Sequence, residues 1–381
     1  MQEADIGIIG AGVVGCAIAR RLVQNVSPTS QQGPSVIVLE KHPAVSMETS
    51  RLNSGVIHSG FHQKPGTLKA TLAQRGSRLI REYAESRLPK GTFANCGMLI
   101  AISKQDVIRN LMHDLSALVH LLGRGREQGI KFKFLGPREV RKLEPHINAL
   151  GGIFIPEVLV VDPIALTQSL YLDAIFGNSE FIFNSSVVGI DIEKEQYIVM
   201  TESGEKFVFR CLINSAGLYA DDIARMAGID KYRIYPWRGE YYEIIGGPSD
   251  FARCLVYPAV TKKSPSKGTH FSNHPDGRIF IGPTAKLVEA KNDYDNNRLP
   301  KEVFLGAARK FYPWIGPENL IPAYAGIRPK LREDGSSDED FVISLDRETP
   351  PLINLVAIES PGLSASMAIA EYVANLLNQV R

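Results

Sequence analysis

Charge imbalance, paired cysteines and long apolar runs are all scarce in this 381-residue chain, and each scarcity removes a class of function. Its 43 Lys and Arg against 41 Asp and Glu leave a formal net charge of only +2. Binding along a phosphate backbone needs a concentrated basic face, so nucleic acid is not an expected partner. The four cysteines, Cys16, Cys96, Cys211 and Cys254, are widely spaced in apolar stretches with no C-x-x-C pair. They read as buried free thiols in a reducing compartment. No uncharged apolar run reaches the roughly 18 residues of a membrane span. A strand beginning almost at Met1 leaves no room for a leader, so the expected location is cytoplasmic, or mitochondrial if a leader has been removed. What the chain does have is 44% hydrophobic residues, enough at this length for a large core split between two domains.

The first forty residues form one β-α-β pattern. Ala4 to Ile9 is an apolar strand, Val13 to about Val26 a helix, and Val36 to Leu39 a second strand, with a polar loop from Ser27 to Ser35. Leu68, Leu72, Leu79, Ile80 and Tyr83 follow a helical period, as do Val107, Ile108, Leu111, Leu115, Leu118 and Leu122. Asp162-Pro163 has the chemistry of a helix start, introducing Ile164 to Phe176. Phe181 to Phe183, Val187 to Ile192, Tyr197 to Thr201 and Phe207 to Phe209 suggest short antiparallel strands, a meander laid on a parallel sheet, before a buried strand Cys211 to Asn214. Glu302 to Phe311 reads as a helix, and Leu352 to Ile358 as a strand leading through Ser360-Pro361-Gly362 into a helix from Leu363 to Leu377. No linker marks a boundary, so the two domains are expected to interleave.

Gly10-Ala11-Gly12-Val13-Val14-Gly15 lies between the first strand and its helix, with Glu40 ending the next strand. Gly10 allows the tight turn, Gly12 a close backbone approach to pyrophosphate, and Gly15 close packing of helix on strand. The helix N-terminus offers free N–H groups to the phosphates, and Glu40 suits ribose hydroxyls while repelling a 2′-phosphate. The pattern predicts dinucleotide binding without choosing between NAD and FAD.

Further segments carry a resemblance. Ser50 to Gly60, ending Val56-Ile57-His58-Ser59-Gly60, with Lys64-Pro65-Gly66-Thr67-Leu68-Lys69-Ala70 after it, resembles the flavin-proximal loop of L-2-hydroxyglutarate dehydrogenases and oxidases. These belong to the D-amino-acid oxidase-like FAD superfamily. Pro236 to Tyr242, Gly268-Thr269-His270-Phe271, Gly282-Pro283, Tyr324 to Leu331 and Ile358 to Ser366 are similar to the same family. The last of these motifs are also shared with FAD-dependent glycerol-3-phosphate dehydrogenases. The resemblance implies an α/β fold: a Rossmann-like FAD-binding domain (1–79, 153–228 and 325–381) interleaved with a β-rich α+β substrate domain (80–152 and 229–324). It implies FAD as cofactor, and oxidation of a hydroxy acid substrate, with L-2-hydroxyglutarate giving 2-oxoglutarate as the leading case.

Such chemistry needs a hydride acceptor, a base for the hydroxyl proton and cationic donors for the carboxylate. Arg328, in a Gly-Ile-Arg-Pro turn, is the carboxylate clamp, with a surface or structural ion pair as its plain alternative; Lys330 beside it is a candidate to assist, but the first expectation is that it points away. His58, in a glycine-flanked loop, is the first choice of base, with flavin orientation or a covalent flavin link as other roles. His270 is the second, unless it only hydrogen-bonds the substrate, and Lys69 and Tyr257 complete the expected substrate pocket. Ser54, Gly55, Ala216 and Gly217 are expected against the cofactor. Gly362 and Leu363, at a helix start, would stabilise negative charge on reduced flavin. His58 and His62 stand four apart as metal ligands can, but Gly60 breaks the helix that would align them, so no metal is expected.

The electron acceptor is left open among oxygen, a quinone and a carrier protein. Arg124, Arg126, Lys131 and Lys133 read as a solvated basic face that also suits peripheral contact with anionic lipid. Ser264-x-x-Lys267 imitates an acyl-enzyme motif by chance. Three other readings stand beside the first: a glycerol-3-phosphate dehydrogenase, an amine or amino-acid oxidase, and a non-catalytic FAD-binding regulatory or assembly protein.

Overall fold

A computed structural model describes residues 1–24, 33–105, 119, 121–259, 268–336 and 339–379. Val26, most of the loop from Ser27 to Ser35, the whole apolar series except Leu122, and the Ser264–Lys267 motif lie outside the described residues.

The predicted β-α-β unit opens an eight-stranded sheet. Gln2–Ile9 is its centre, pairing in parallel with Val36–Leu39 on one side and Lys206–Asn214 on the other. The far edge of Lys206–Asn214 is shared. Its first half takes the antiparallel strand Gln196–Thr201, itself backed by Val187–Glu193, and its second half takes Pro351–Val356, backed by Val342–Glu348. Helices Val13–Val23, Leu68–Arg87, Pro163–Phe176 and Gly362–Gln379 pack together over one face around Ile6, Ile8, Val38 and Ile353. Asp162 caps Pro163–Phe176 by accepting hydrogen bonds from the Ile164 and Ala165 N–H groups.

Two strand expectations need correcting. Phe181 belongs to Ser179–Ile182, which is not part of the meander but a parallel edge strand on Val36–Leu39, delivered there by the crossover helix before it. Phe207–Phe209 and Cys211–Asn214 are one strand. Arg210 interrupts the apolar pattern, but the strand runs through it, and its side chain pairs at the surface with Asp5 at 3.2 Å.

A second, nine-stranded sheet is largely antiparallel. Its spine is Tyr235–Ile244 paired with Leu320–Lys330, and it takes in Met98–Ser103 and Ala149–Ile155 from the first half of the chain. Helix Lys301–Phe311 covers one face through Phe304, Ala308 and Phe311. The boundaries placed at 79/80, 152/153 and 324/325 fall within Leu68–Arg87, Ala149–Ile155 and Leu320–Lys330. Buried Arg238 fixes this sheet to the loop beyond it by pairing with Glu240 at 2.9 Å and Asp293 at 3.0 Å. Among the described residues, no helix is long and apolar enough to cross a membrane.

Candidate active site

The carboxyl ends of the parallel strands and the inner face of the second sheet enclose a cavity of about 1080 Å³. One end is built by the glycine turn. Gly10 has φ +100°, and a Cβ there would stand 2.7 Å from the Ser215 carbonyl oxygen. A Cβ on Gly15 would collide with the Gly10 carbonyl, and one on Gly12 would stand 2.8 Å from Ser50 Oγ. Ser50 accepts the Val13 N–H at 2.9 Å, so a loop distant in sequence caps the first helix. No local pattern announces that cap. Glu40 takes the Ala11 N–H on one oxygen at 2.7 Å and the His42 N–H on the other at 2.9 Å, which fixes its carboxylate at the cavity wall. Ala216 and Gly217 line the same end.

Lys41, next to Glu40, was not among the expected residues. Its ammonium lies 3.3 Å above the Tyr219 ring centroid and 2.7 Å from Glu48, and all three line the cavity.

The other end gathers the expected polar residues. His58, Tyr257, His270, Arg328, Lys69, Ser54, Gly362 and Leu363 all line it. The His270 ring stacks on Tyr257, while His58 meets the same tyrosine edge-on at 6.2 Å and His62 lies 5.7 Å from it. Ser364, on the last helix, accepts the His58 backbone N–H at 2.8 Å, so this loop is tied to the helix start. Burial holds the Tyr257 phenol well above its usual pKa. Its hydroxyl has no hydrogen-bond partner among the described residues.

Arg328 donates to the Thr284 carbonyl at 3.2 Å. Its guanidinium occupies the space above Gly239, where a Cβ would come within 2.8 Å of Nη2. Gly239 is therefore a site residue by what it lacks. The signal was present in the sequence, a glycine among bulky residues mid-strand, but its meaning depends on the partner strand.

Three residues differ from expectation. Gly55 is not in the cavity lining; its missing side chain is required by the Val161 carbonyl, on which a Cβ would fall. Lys330 does not point away. It is buried in the cavity wall, donates to the Gly335 carbonyl and lies 3.8 Å from Glu359, because alternation along the strand puts it on the same face as Arg328. Arg124 leaves the basic cluster for the cavity wall, donating to the His62 carbonyl at 2.9 Å, whereas Arg126, Lys131 and Lys133 stay exposed. Lys69 is a cavity residue, but its ammonium is 2.8 Å from Glu359, so one carboxylate already answers its charge. Burial raises the Glu359 pKa, yet Lys69 and then Lys330 bring it below the usual carboxylate value. Among the described residues, no three His, Cys, Asp or Glu side chains are placed to hold a metal.

These features fit a dinucleotide that runs from the glycine cradle to the histidine cluster. The family of FAD dependent oxidoreductases matches residues 5–376. A mitochondrial L-2-hydroxyglutarate dehydrogenase of Arabidopsis thaliana is 30% identical over 98% of this chain and 83% of its own length. A glycerol 3-phosphate dehydrogenase of Caloramator mitchellensis is 28% identical, covering 99% of this chain and 74% of its own. In structure, the dithionite-reduced L-alpha-glycerophosphate oxidase of Mycoplasma pneumoniae with FAD bound superposes with a TM-score of 0.87 at 28% identity, over 99% of this chain and 95% of that one. With a glycine cradle, an acidic residue at the second strand and a family match along nearly its whole length, this chain belongs to the FAD-dependent oxidoreductases.

Proposed function

We propose that the chain oxidises the hydroxyl-bearing carbon of an L-2-hydroxy acid, with L-2-hydroxyglutarate the leading substrate and 2-oxoglutarate the product. FAD, when bound, supplies the hydride acceptor. The chain's residues supply the rest. Arg328 clamps the C1 carboxylate through paired charge-assisted hydrogen bonds, held in place by the Thr284 carbonyl and the space over Gly239. His58 accepts the hydroxyl proton, with His270 as the second choice. The Tyr257 hydroxyl donates to the substrate between them, and Arg124 and Ser364 hold the His58–His62 loop. At the cofactor end, Gly10, Gly12 and Glu40 hold the ADP half, with Gly15 keeping the turn packed behind them, and the start of helix Gly362–Gln379 favours negative charge on reduced flavin. The domain division drawn from the sequence is part of the same reading, with the glycine cradle in one domain and Tyr257 and His270 in the other.

The single observation that supports this most strongly is the convergence of Arg328, His58, Tyr257 and His270 on one cavity shared with the glycine cradle. The two named relatives with glycerophosphate substrates favour a second reading, in which the same cations hold a phosphate. Anaerobic reduction of the bound flavin by L-2-hydroxyglutarate, its D-isomer and sn-glycerol 3-phosphate, each alone, separates the two.

A further inference from the structure

Tyr241 is a buried phenol that the reaction proposed above does not use. It follows Gly239 by two residues on Tyr235–Ile244, so alternation puts both on one face of the strand, and both line the cavity. The space over Gly239 holds the Arg328 guanidinium, which places Tyr241 beside that charge along the strand. Pairing with Leu320–Lys330 changes register between Glu240 and Tyr242, where the partner strand carries one extra residue. Tyr324, in that extra length, stacks on Tyr241 with ring centroids 4.5 Å apart and planes 25° from parallel. A Cβ on Gly282 would stand 2.5 Å from the Tyr241 ring, so the ring is confined there as well.

The two stacked rings carry their hydroxyls to adjacent residues of one loop. Tyr324 donates to the Asn53 carbonyl at 2.9 Å, and Tyr241 has the Ser54 hydroxyl as its hydrogen-bonding neighbour. Ser54 lines the cavity as well. Two hydroxyls share one hydrogen bond, so one O–H of the pair is left over, and no other group among the described residues takes it. Tyr241 is 4% exposed, and burial holds its pKa above the ordinary value against the opposing effects of Arg328 and Ser54, so the phenol keeps its proton at neutral pH. A buried donor without an acceptor is costly, and an anion held by Arg328 supplies the acceptor.

We propose that the Tyr241 hydroxyl donates to the anionic group held by Arg328, so that guanidinium and phenol grip the same group from neighbouring strands. The proposal rests on the reading of Arg328 as the clamp and adds a neutral donor to it. Ser54 is a positioning residue, donating to the phenol oxygen and turning its proton toward the anion. Hydrogen bonds in series polarise one another, so this chain is strongest when its last acceptor is charged. Carboxylate and phosphate oxygens both accept such a bond, and the two are separate arms of the test.

Two non-reacting anions, glutarate and inorganic phosphate, are titrated into the FAD-loaded enzyme and read by perturbation of the flavin absorbance. Tyr241→Phe, which keeps the stacked ring, is expected to weaken glutarate about 10-fold with the flavin midpoint potential unchanged. Ser54→Ala is expected to weaken it in the same direction by less, and carries the test if Tyr241→Phe does not load FAD. Phosphate binding tighter than glutarate, with the same loss in Tyr241→Phe, supports the donor role and moves the leading substrate to the phosphate reading. Unchanged affinity for both anions in the variant that loads FAD overturns the proposal, as does a wild-type enzyme that binds neither. A shifted midpoint potential in Tyr241→Phe with anion affinity intact also overturns it, since the pair then serves the cofactor. Flavin reduction by L-2-hydroxyglutarate is scored separately: its failure sinks the functional reading, while the ratio of wild-type to Tyr241→Phe affinity decides the donor.

Discussion

The His270 ring lies flat on Tyr257, with centroids 3.8 Å apart and planes 13° from parallel. Tyr257 is fully buried, so it acts as a fixed plate that sets the position of one histidine by stacking and meets the other, His58, at its edge. A base and a hydrogen-bonding partner are thereby held in one rigid group. His58→Asn is expected to slow anaerobic flavin reduction by about 10²- to 10⁴-fold, the usual contribution of a general base, with FAD content unchanged. His270→Asn is expected to have the smaller effect. The reverse order, measured by stopped-flow absorbance, would exchange the two roles.

Tyr257→Phe preserves the stacked plate and removes only the hydroxyl. A substrate hydrogen bond there predicts a rise in KM of about 10-fold with little change in the thermal midpoint. An unaltered KM would assign the tyrosine to packing alone.

Arg328 and Gly239 form a pair, the glycine leaving the space that the guanidinium fills. Arg328→Lys keeps the charge but loses the fork, and is expected to cost about 10- to 100-fold in kcat/KM. Gly239→Ala puts a methyl group against the guanidinium and is expected to impair turnover in the same direction while FAD stays bound. Gly239→Ala with unimpaired kcat/KM would show that Arg328 can perform its role from elsewhere.

Lys69 and Glu359 are both withdrawn from water, with side chains 4% and 6% exposed. Removing the cation in Lys69→Met takes away the nearest partner of the carboxylate and leaves the looser Lys330, at an expected cost of about 3–5 kcal/mol in unfolding free energy. Since the folded Glu359 pKa lies below its ordinary value, its stabilising contribution is present above that ordinary value and lost as pH falls through the folded one. The gap between wild type and Lys69→Met, followed by urea unfolding, is therefore expected to narrow in acid. A gap independent of pH would mean that Lys69 contributes by packing and not by charge.

The thiols are expected to be inert. Burial, with Glu40 nearby, pushes Cys16 up strongly, burial does the same to Cys254, and Cys96 is raised to about 12. A thiol reagent at neutral pH is expected to label the native protein slowly and all four cysteines once it is unfolded.

The parts legible in the sequence were those fixed by local pattern. Gly10 to Gly15, Glu40, the Asp162 cap and the helix after Pro361 each carry their reason within a few residues. Pairings between distant segments were not legible. Nothing near Lys69 announces Glu359, and nothing in Tyr324–Leu331 says that Lys330 shares the face of Arg328, since that follows only once the segment is known to be an extended strand. Arg124 sits among other basic residues, and only its hydrogen bond to the carbonyl of distant His62 separates it from them. Arg210 looked like a strand end because its partner Asp5 belongs to another strand.

The most direct measurement is anaerobic mixing of the FAD-loaded enzyme with L-2-hydroxyglutarate, its D-isomer and sn-glycerol 3-phosphate in separate reactions, watching the flavin's visible band. The account predicts rapid bleaching by the L-hydroxy acid alone. Bleaching by glycerol 3-phosphate instead, or by none of the three, would contradict it.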